Sequence, residues 1–368
     1  MMPESESGNI LLVWNRIGDY HAARFWALEK ELGQNRVFIA DLGGNDSLYK
    51  WKNPLQDNPS YFSLSDKPVE TEDSAERLRR FKKIVKENKI TCLGLAGYGQ
   101  AEYRKMLLWC WMNGISVVLF AESWYPGNRI VDFLKGSFLR LACRGFLVSG
   151  ERAREHFKLR LGIPEHSIQI PYSVVDNQHF LGVNPDYAAR KLLCVARFSP
   201  EKNLQNLISA FKNSGIDKQG WTLELVGGGP LKKELAANFQ HDKSLIFQEW
   251  VSYENLPELY ASASFFILPS LFEPWGLVVN EAMSAGLPAA VSNECGCAPD
   301  LVPDKSLHFP ANNLQKLEDL LKVIAGMSTE KLRHLGDSNR QLIQHFSPKT
   351  WADAFLGLAG FSASKVRI

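Results

Sequence analysis

Short runs of apolar residues alternate with longer amphipathic stretches along almost the whole chain. The short runs are bounded by turn residues, which favours buried strands, whereas the longer stretches have the periodicity of helices that cover one face of a sheet. Alternating strands and helices are typical of parallel sheets with crossover helices. The pattern therefore predicts an α/β protein.

In the first half of the chain, this pattern predicts strands at residues 10–14, 36–40, 90–95, 115–120, 145–149 and 168–170. Helices are predicted at residues 20–32, 74–88 and 151–161. The longest apolar stretch, residues 106–120, is interrupted by Asn113 and Gly114 and is short for a transmembrane helix. We interpret it as the end of a helix, a turn and a buried strand.

Residues 172–188 change character, because periodicity weakens and Asp, Asn, Gly and Pro accumulate, so we interpret them as an interdomain linker. Strands then follow at 191–196, 222–226, 244–248, 265–269 and 288–291. Helices are predicted at 203–213, 230–238, 254–261, 277–285, 314–346 and 350–358. The sequence thus predicts two Rossmann-like, doubly wound domains that face each other across a cleft, with ligands beyond the carboxyl ends of the strands.

Composition narrows the class of protein without identifying it. The 368 residues are 45% hydrophobic and 22% charged, which is typical of a globular protein, and the length favours two domains. A net charge of +2 is too small to indicate a nucleic-acid partner. Residues 1–7 are polar and acidic and lack the features of a secretory signal, so we expect a cytoplasmic protein.

The six cysteines are scattered along the chain, and only Cys295 and Cys297 form a close pair. No second pair or group of histidines completes a set of metal ligands at a familiar spacing. We therefore expect two reduced thiols in a loop and no metal site.

Two basic residues mark the loop after the strand at 191–196. Arg197 and Lys202 are five residues apart in the sequence, just before a predicted helix. A guanidinium offers a planar fork to phosphate oxygens, an ammonium offers a compact charge, and a helix N-terminus adds partial positive charge. These groups suit a diphosphate leaving group; the alternative is a pair of solvated surface cations.

A glycine-rich turn, Gly227, Gly228 and Gly229, follows the strand at 222–226. Three glycines permit a tight connection from strand to helix. The glycine spacing of a dinucleotide-binding loop is not completed, because Lys232 occupies its last position. A nicotinamide dehydrogenase is therefore disfavoured, and a simple packing turn remains an alternative to a ligand-binding loop.

The strongest chemical signal follows the buried strand that begins at residue 265. Glu273 lies in the loop after this strand, and a helix begins directly after Gly276. The amides of Gly276, Leu277 and Val278 are therefore available to an anion. Glu281 lies about one turn into the helix. One carboxylate can then address a sugar and the other a ribose diol; the alternative is acidic residues that complement the helix dipole.

At these residues the chain resembles the family 4 retaining glycosyltransferases, which have the GT-B fold and include bacterial polysaccharide glycosyltransferases. The family signature is a glutamate, seven residues and a second glutamate, which here are Glu273 and Glu281. The resemblance covers the C-terminal half and, more loosely, the N-terminal half. It implies an acceptor-binding domain at 1–175, a nucleotide-sugar-binding domain at 176–348, and a C-terminal helix at 349–368 that crosses back onto the first domain.

The resemblance also implies roles for individual residues. Arg197 and Lys202 would bind the donor diphosphate. Glu273 would contact hydroxyls of the donor sugar, and Glu281 would bind the ribose. Further contacts to phosphate, sugar or base would come from Gly18, Gly276, Leu277, Val278, Trp250, Val251 and Leu256.

Two positions depart from the family pattern. The N-terminal glycine loop falls at residues 16–19, where this chain has the single Gly18 in place of two adjacent glycines. Many relatives also place a histidine after the fourth strand, near the donor sugar, whereas this chain has Glu122 in that region. Glu122 is our candidate for the role of that histidine; the alternative is that the role is absent.

The activity implied by the resemblance is transfer of a hexosyl unit, with retention, from a UDP-sugar to a saccharide or lipid-linked saccharide. UDP-glucose is the first candidate for the donor, on family frequency alone. We expect no cofactor and no metal ion, because no Asp-x-Asp motif follows a strand. The alternatives are a nucleotide-sugar epimerase of the same fold and a non-catalytic sugar-nucleotide binding protein.

On the acceptor side, Tyr20, His21 and Arg24 either face the ligand or lie on the surface of an amphipathic helix.

Residues 129–160 carry more basic than acidic residues, with interleaved phenylalanines and leucines. This pattern fits a peripheral contact at the inner face of a membrane, and the alternative is a solvated helix that covers the core. We expect a monomer.

Overall fold

The computed structural model describes residues 8–43, 53–66 and 74–361. The chain divides into two compact units, with divisions between Asp176 and Asn177 and between Phe346 and Ser347. The first unit combines the N-terminal part of the chain with its C-terminal helix, and the second contains the residues in between. Two expectations concern residues outside these ranges. They are the absence of a secretory signal at residues 1–7 and the end of the predicted crossover helix at residues 362–368.

Among the described residues, the N-terminal unit contains a seven-stranded parallel sheet with the order β3-β2-β1-β4-β5-β6-β7. Its strands are β1 (Asn9–Trp14), β2 (Val37–Asp41), β3 (Tyr61–Ser63), β4 (Ile90–Ala96), β5 (Ser116–Ala121), β6 (Gly145–Val148) and β7 (Ile168–Gln169). The connecting helices are α1 (Asp19–Leu32), α2 (Ser74–Glu87), α3 (Ala101–Met112), α4 (Arg129–Ala142) and α5 (Glu151–Glu155). Parallel strands need such crossovers, and the crossover helices cover both faces of the sheet. Because the strands are then buried on both sides, their sequences are continuously apolar.

The C-terminal unit contains, within the part of the chain that is described, a six-stranded parallel sheet with the order β10-β9-β8-β11-β12-β13. Its strands are β8 (Lys191–Val195), β9 (Thr222–Val226), β10 (Leu245–Gln248), β11 (Phe265–Leu268), β12 (Ala289–Ser292) and β13 (His308–Phe309). Its helices are α6 (Leu204–Ser214), α7 (Lys232–Asn238), α8 (Leu256–Ala261), α9 (Leu277–Ser284), α10 (Ala298–Leu301), α11 (Leu314–Ala325) and α12 (Thr329–Leu342). The predicted fold class, two doubly wound α/β domains, is confirmed.

The last helix, α13 (Pro348–Ala359), packs against α1 and the strands β5, β6 and β7 of the N-terminal unit. Its N-terminus is fixed by a capping box between Ser347 and Thr350. Trp351 is fully buried and its ring stacks on Phe355 with the centroids 5.5 Å apart. Arg144 donates a hydrogen bond of 3.0 Å to the carbonyl of Leu358. These contacts explain why the helix belongs with the N-terminal sheet.

The strand order reverses once in each sheet, between β1 and β4 in the N-terminal unit and between β8 and β11 in the C-terminal unit. Loops that follow the two strands at such a point diverge to opposite faces of the sheet and leave a crevice between them. The loops after β8 and β11 carry the residues that the sequence marked for diphosphate and sugar. The fold therefore brings these two segments to one crevice of the C-terminal unit.

Two further details bear on the membrane and linker predictions. Within the described residues, no helix is both long enough and apolar enough to span a membrane. Residues 106–120 form the end of α3, a turn and β5, as the pattern predicts. The division between the units lies within residues 172–188, the predicted linker. Val174, before the division, and Phe180, after it, are both buried.

Candidate functional site

The loop after β8 is held in place by hydrogen bonds from Asn203. This residue has the left-handed φ of 58° and precedes α6, and its side-chain amide donates to the carbonyls of Pro269 and Ala311 over 3.1 and 2.9 Å. The amide of Leu271 also donates to the carbonyl of Glu201 over 2.8 Å. The loops after β8 and β11 are thus joined to each other at the crevice.

This connection brings Lys202 against Glu273. The Nζ atom of Lys202 lies 2.5 Å from Oε2 of Glu273, and the Ser270 hydroxyl lies 3.3 Å from the same oxygen. The two charged side chains are only 18% and 12% exposed. Because little water screens them, their attraction is stronger than that of a surface pair, and each holds the other in a fixed position.

Glu273 also has a fixed backbone. It forms an isolated parallel bridge with Cys295, and its carbonyl accepts a hydrogen bond of 2.9 Å from the amide of Gly296. Burial raises the pKa of the Cys295 thiol to about 12, so this cysteine stays protonated beside the carboxylate. All six cysteines are free and buried, and the described residues contain no group of three or more His, Cys, Asp or Glu side chains arranged to hold a metal ion.

Gly276 is the residue before α9 and has a backbone that favours glycine. Its φ is 108°, and a Cβ at this position would lie 3.0 Å from Cδ2 of Leu268. The preceding Trp275 is buried, and its indole donates a hydrogen bond of 2.8 Å to Asn280 within α9. The first turn of α9 is therefore fixed directly beside Glu273, and its amides are those that have no partner within the helix.

Glu281, the second glutamate of the signature, has a different environment from Glu273. It is 1% exposed and accepts a hydrogen bond of 2.5 Å from the hydroxyl of the buried Tyr260 in α8. Sequence reasoning did not single out Tyr260, because an aromatic residue on an apolar helix face is typical of a core. The structure identifies it as the residue that orients the Glu281 carboxylate.

The glycine turn after β9 is explained by close packing of two backbones. A Cβ on Gly227 would lie 2.0 Å from the carbonyl oxygen of Ala196, and one on Gly229 would lie 2.6 Å from that of Phe198. Lys232 ties the turn to the next strand by donating to the carbonyls of Gly227 and Gln248 over 2.9 and 2.6 Å. The geometry favours the packing turn, and it brings the glycine turn against the loop that carries Arg197.

The residues expected to contact the nucleotide base lie beyond the carboxyl ends of β9 and β10. Trp250 is half-exposed, and a Cβ on Gly228 would lie 3.0 Å from its indole nitrogen, so the ring lies against the glycine turn. Val251 is partly buried, and Leu256 is buried at the start of α8. Arg197 is partly buried in the loop after β8. All of these residues belong to the C-terminal unit.

In the N-terminal unit, Glu122 directly follows β5 and accepts a hydrogen bond of 2.7 Å from the Ser173 hydroxyl. Arg24 of α1 is 2% exposed, lies 4.7 Å from the centre of the Tyr172 ring, and donates to the carbonyl of Val174 over 3.2 Å. Burial lowers the pKa of Arg24, and the nearby Tyr172 and Glu122 oppose this shift. The surface interpretation is therefore wrong for Arg24, which is a buried cation.

Gly18 immediately precedes α1 and has an extended backbone with φ −134°. Its amide donates a hydrogen bond of 3.2 Å to Nδ1 of His21, whose ring lies 4.9 Å from that of Trp14. Burial, with a smaller effect of the Arg24 charge, lowers the pKa of His21 to about 3. A neutral ring that accepts at Nδ1 carries its proton on Nε2.

This lowered pKa predicts a pH-dependent stability. Between pH 6.5 and about 3, the unfolded state binds a proton at His21 that the folded state excludes, so stability falls with pH across this window. From about pH 8 to about pH 5, wild type should lose about 2 kcal/mol more than the His21→Gln variant. Urea unfolding at both pH values measures the difference, and His334→Gln in α12 is the matched control. Equal losses in wild type and His21→Gln would contradict the prediction.

Comparison with known proteins places this geometry in a family. Residues 183–341, which include the loops after β8 and β11, match the model for glycosyl transferases group 1. For this segment, the match confirms the resemblance to glycosyltransferases read from the sequence.

Individual relatives agree with this assignment. The uncharacterized glycosyltransferase YqgM of Bacillus subtilis is 28% identical over 158 residues, which are 42% of this chain and 44% of that protein. The O-antigen chain mannosyltransferase B of Escherichia coli is 29% identical over 131 residues, 34% of either chain. The matched segments thus span less than half the length of these curated relatives.

Solved structures extend the likeness to the whole fold. The Anabaena protein Alr3699/HepE, solved in complex with UDP and glucose, has a TM-score of 0.72 at 16% identity, over 95% of this chain and 98% of that one. A glycosyltransferase from Rickettsia africae has a TM-score of 0.75 at 14% identity, over 96% and 97%. At this identity the likeness shows the fold alone, which is the GT-B fold.

Proposed function

We propose that this protein is a retaining glycosyltransferase that moves a hexosyl unit from a UDP-sugar to a saccharide or lipid-linked saccharide. The observation that carries the proposal is the Lys202–Glu273 ion pair beside the N-terminus of α9, at the reversal point of the C-terminal sheet. A cation, a carboxylate and helix amides in one crevice suit a ligand that joins phosphate to a polyhydroxylated ring.

In this proposal, Arg197 and Lys202 bind the diphosphate together with the amides of Gly276, Leu277 and Val278. These groups stabilise the negative charge that develops as the glycosidic bond to the diphosphate breaks, which is the function that a metal ion has in other transferases. We propose that no metal is required.

Glu273 accepts hydrogen bonds from hydroxyls of the donor sugar, and its contact with Lys202 aligns the sugar with the leaving group. Glu281, oriented by Tyr260, binds the ribose hydroxyls. Trp250, Val251 and Leu256 contact the base, where the half-exposed indole offers a flat apolar surface. Without an enzymic nucleophile, retention follows from front-face substitution, in which the acceptor hydroxyl attacks on the side from which the nucleotide diphosphate leaves.

We assign the acceptor to the N-terminal domain. Glu122 lies directly after β5, at the carboxyl end of the strands, which is the edge of a parallel sheet at which ligands bind. Glu122 would take the role that a histidine has in many relatives, and its carboxylate is held by the Ser173 hydroxyl.

UDP-glucose is our first candidate for the donor, which agrees with the UDP and glucose bound by the Anabaena protein. The E. coli relative is named as a mannosyltransferase, so mannose donors belong in the test. The decisive experiment is a panel of sugar nucleotides measured by thermal shift and by release of free nucleotide. We expect a preferred UDP-sugar that raises Tm and that releases UDP, faster when a saccharide acceptor is present.

The same panel separates the competing classes. An epimerase would convert the donor without acceptor and leave the nucleotide attached to the sugar. A binding protein would show the thermal shift without nucleotide release. Either result would overturn the proposed transfer. If EDTA abolishes transfer and added divalent cation restores it, only the proposed metal independence is overturned.

A further inference from the structure

The helix α4 presents an apolar surface to solvent. Asp132, Gly136, Leu139 and Ala142 are its buried residues, and they repeat at helical spacing along one narrow face. On the remainder of the helix, six large apolar side chains are exposed to solvent. Their exposed fractions are 71% for Ile130, 45% for Val131, 61% for Phe133, 62% for Leu134, 37% for Phe138 and 70% for Leu141. Ordinary solvated helices bear polar residues in these positions.

The exposed apolar residues are concentrated opposite the buried face. Ile130, Leu134 and Leu141 are four and seven residues apart, so they share one side of the helix, and Phe133 and Phe138 flank that side. The neighbouring α3, which packs against α4, adds Leu108, Trp111 and Met112, which are 44%, 50% and 71% exposed. We call these exposed residues of α3 and α4 the apolar face.

Basic residues border the apolar side of α4 on both edges. At about 100° per residue, Arg129 and Arg140 lie along one edge of the apolar side of α4 and Lys135 lies along the other. The acidic residue of α4, Asp132, is buried, accepts a hydrogen bond of 3.1 Å from the amide of Gly127, and forms ion pairs with Lys135 and Arg160 at 3.9 and 3.5 Å. Arg129 and Arg140 therefore supply most of the uncompensated positive charge. The solvent side of α4 thus combines exposed apolar residues with positive charge.

Charge decides which partner this face fits. If two copies of the chain paired through α4 about a twofold axis, Arg129, Lys135 and Arg140 of one copy would approach the same residues of the other, and like charges disfavour that contact. An anionic lipid surface has the complementary charge and an apolar interior. A helix with apolar residues between two basic edges lies in the plane of such a surface, with the charges at the headgroups.

We propose that α4, together with the end of α3, is a membrane-surface contact that binds bilayers rich in anionic lipid. The contact is peripheral and depends on both components, apolar insertion and charge. It is independent of the proposed function, because the residues of the apolar face lie in the N-terminal unit and are not those assigned to donor or acceptor.

The test is co-sedimentation of the full chain with phosphatidylcholine vesicles that do or do not contain phosphatidylglycerol, at low and high salt. We expect binding to the anionic vesicles at low salt, and a loss of about tenfold or more in the double variant Phe133→Ser/Leu134→Ser, because each side chain contributes apolar burial. Arg129→Glu/Arg140→Glu should also abolish binding, since it reverses one basic edge.

Two matched variants show whether the effect is local. Val323→Ser in α11 removes an apolar side chain with a similar exposure of 59%, and Lys83→Glu in α2 reverses an exposed charge of the same domain. Both should bind vesicles as wild type does. Donor-dependent UDP release in solution should be the same in all variants, so failure of lipid binding and failure of the proposed transfer remain distinguishable.

Three results would overturn the proposal. The first is wild-type protein that stays in the supernatant with anionic vesicles at low salt. The second is equal binding by wild type and Phe133→Ser/Leu134→Ser. The third is a concentration-dependent dimer in sedimentation velocity that the same double variant abolishes, which would assign the apolar face to a second copy of the chain.

Discussion

Lys202→Met is expected to lower kcat for transfer by on the order of 10²–10³-fold, the loss typical of removing one preorganised group that stabilises developing charge. Glu273→Gln should lower kcat to a similar extent, because the neutral amide neither holds Lys202 nor accepts as strongly from sugar hydroxyls. The measurement is steady-state release of UDP with the preferred donor and acceptor. Wild-type turnover in either variant would exclude the assigned roles.

These variants also disturb stability, which needs to be separated from catalysis. Removing Lys202 leaves the Glu273 carboxylate, 12% exposed, without its cation, and we expect a cost of about 1–3 kcal/mol. The double variant Lys202→Met/Glu273→Gln removes both charges and should recover part of that loss in thermal unfolding. Its kcat should stay as low as in the single variants, because a purely structural pair would recover activity together with stability.

Lys212→Met is the matched control for this experiment. Lys212 of α6 is also a lysine of the C-terminal unit, and it forms ion pairs with Asp217 and Asp242 at 2.5 and 2.7 Å. It lies in the last turn of α6, at the opposite end of that helix from the loop after β8, and has no assigned contact to the donor. Its loss should change Tm and leave kcat unchanged, whereas a comparable fall in kcat would mean that any broken lysine pair inactivates the protein.

The positions of the site loops were predictable, because their strands are buried on both faces and leave continuous apolar runs. The contact between Lys202 and Glu273 was not readable from spacing, since 71 residues separate them and the contact depends on β8 and β11 being neighbours where the strand order reverses. The short strands β3 and β13, of three and two residues, were missed because so few residues show no periodicity.

Burial of polar residues was the least predictable feature. The periodicity of α1 is consistent with a surface position for Arg24. In the structure, Arg24 is covered by Tyr172 and Val174, which belong to the segment interpreted as a linker. Glu281 is placed on a helix by its pattern, but its orientation depends on the Tyr260 hydroxyl in α8. Contacts of this kind join residues distant in sequence, and neither propensity nor periodicity reports on them.

Gly276→Ala is expected to weaken nucleotide binding by about tenfold or more and to destabilise the protein by about 2 kcal/mol. A side chain at φ 108° is strained, and the added Cβ would lie 3.0 Å from Leu268 in the core beneath the loop. We expect the backbone to relax from this φ, which moves the start of α9 and displaces the amides of Leu277 and Val278 from the anion that they are proposed to bind. Calorimetric titration with UDP and thermal unfolding measure the two effects.

Gly215→Ala separates strain from displacement. Gly215 follows α6 with a φ of 74°, and nothing lies within 4 Å of the position that its Cβ would take. The substitution should therefore cost about 1 kcal/mol of stability through backbone strain, with UDP affinity unchanged. If Gly276→Ala lowers stability but binds UDP as tightly as Gly215→Ala does, the amides at the start of α9 do not hold the diphosphate, and the anion must be bound by the side chains of Arg197 and Lys202 alone.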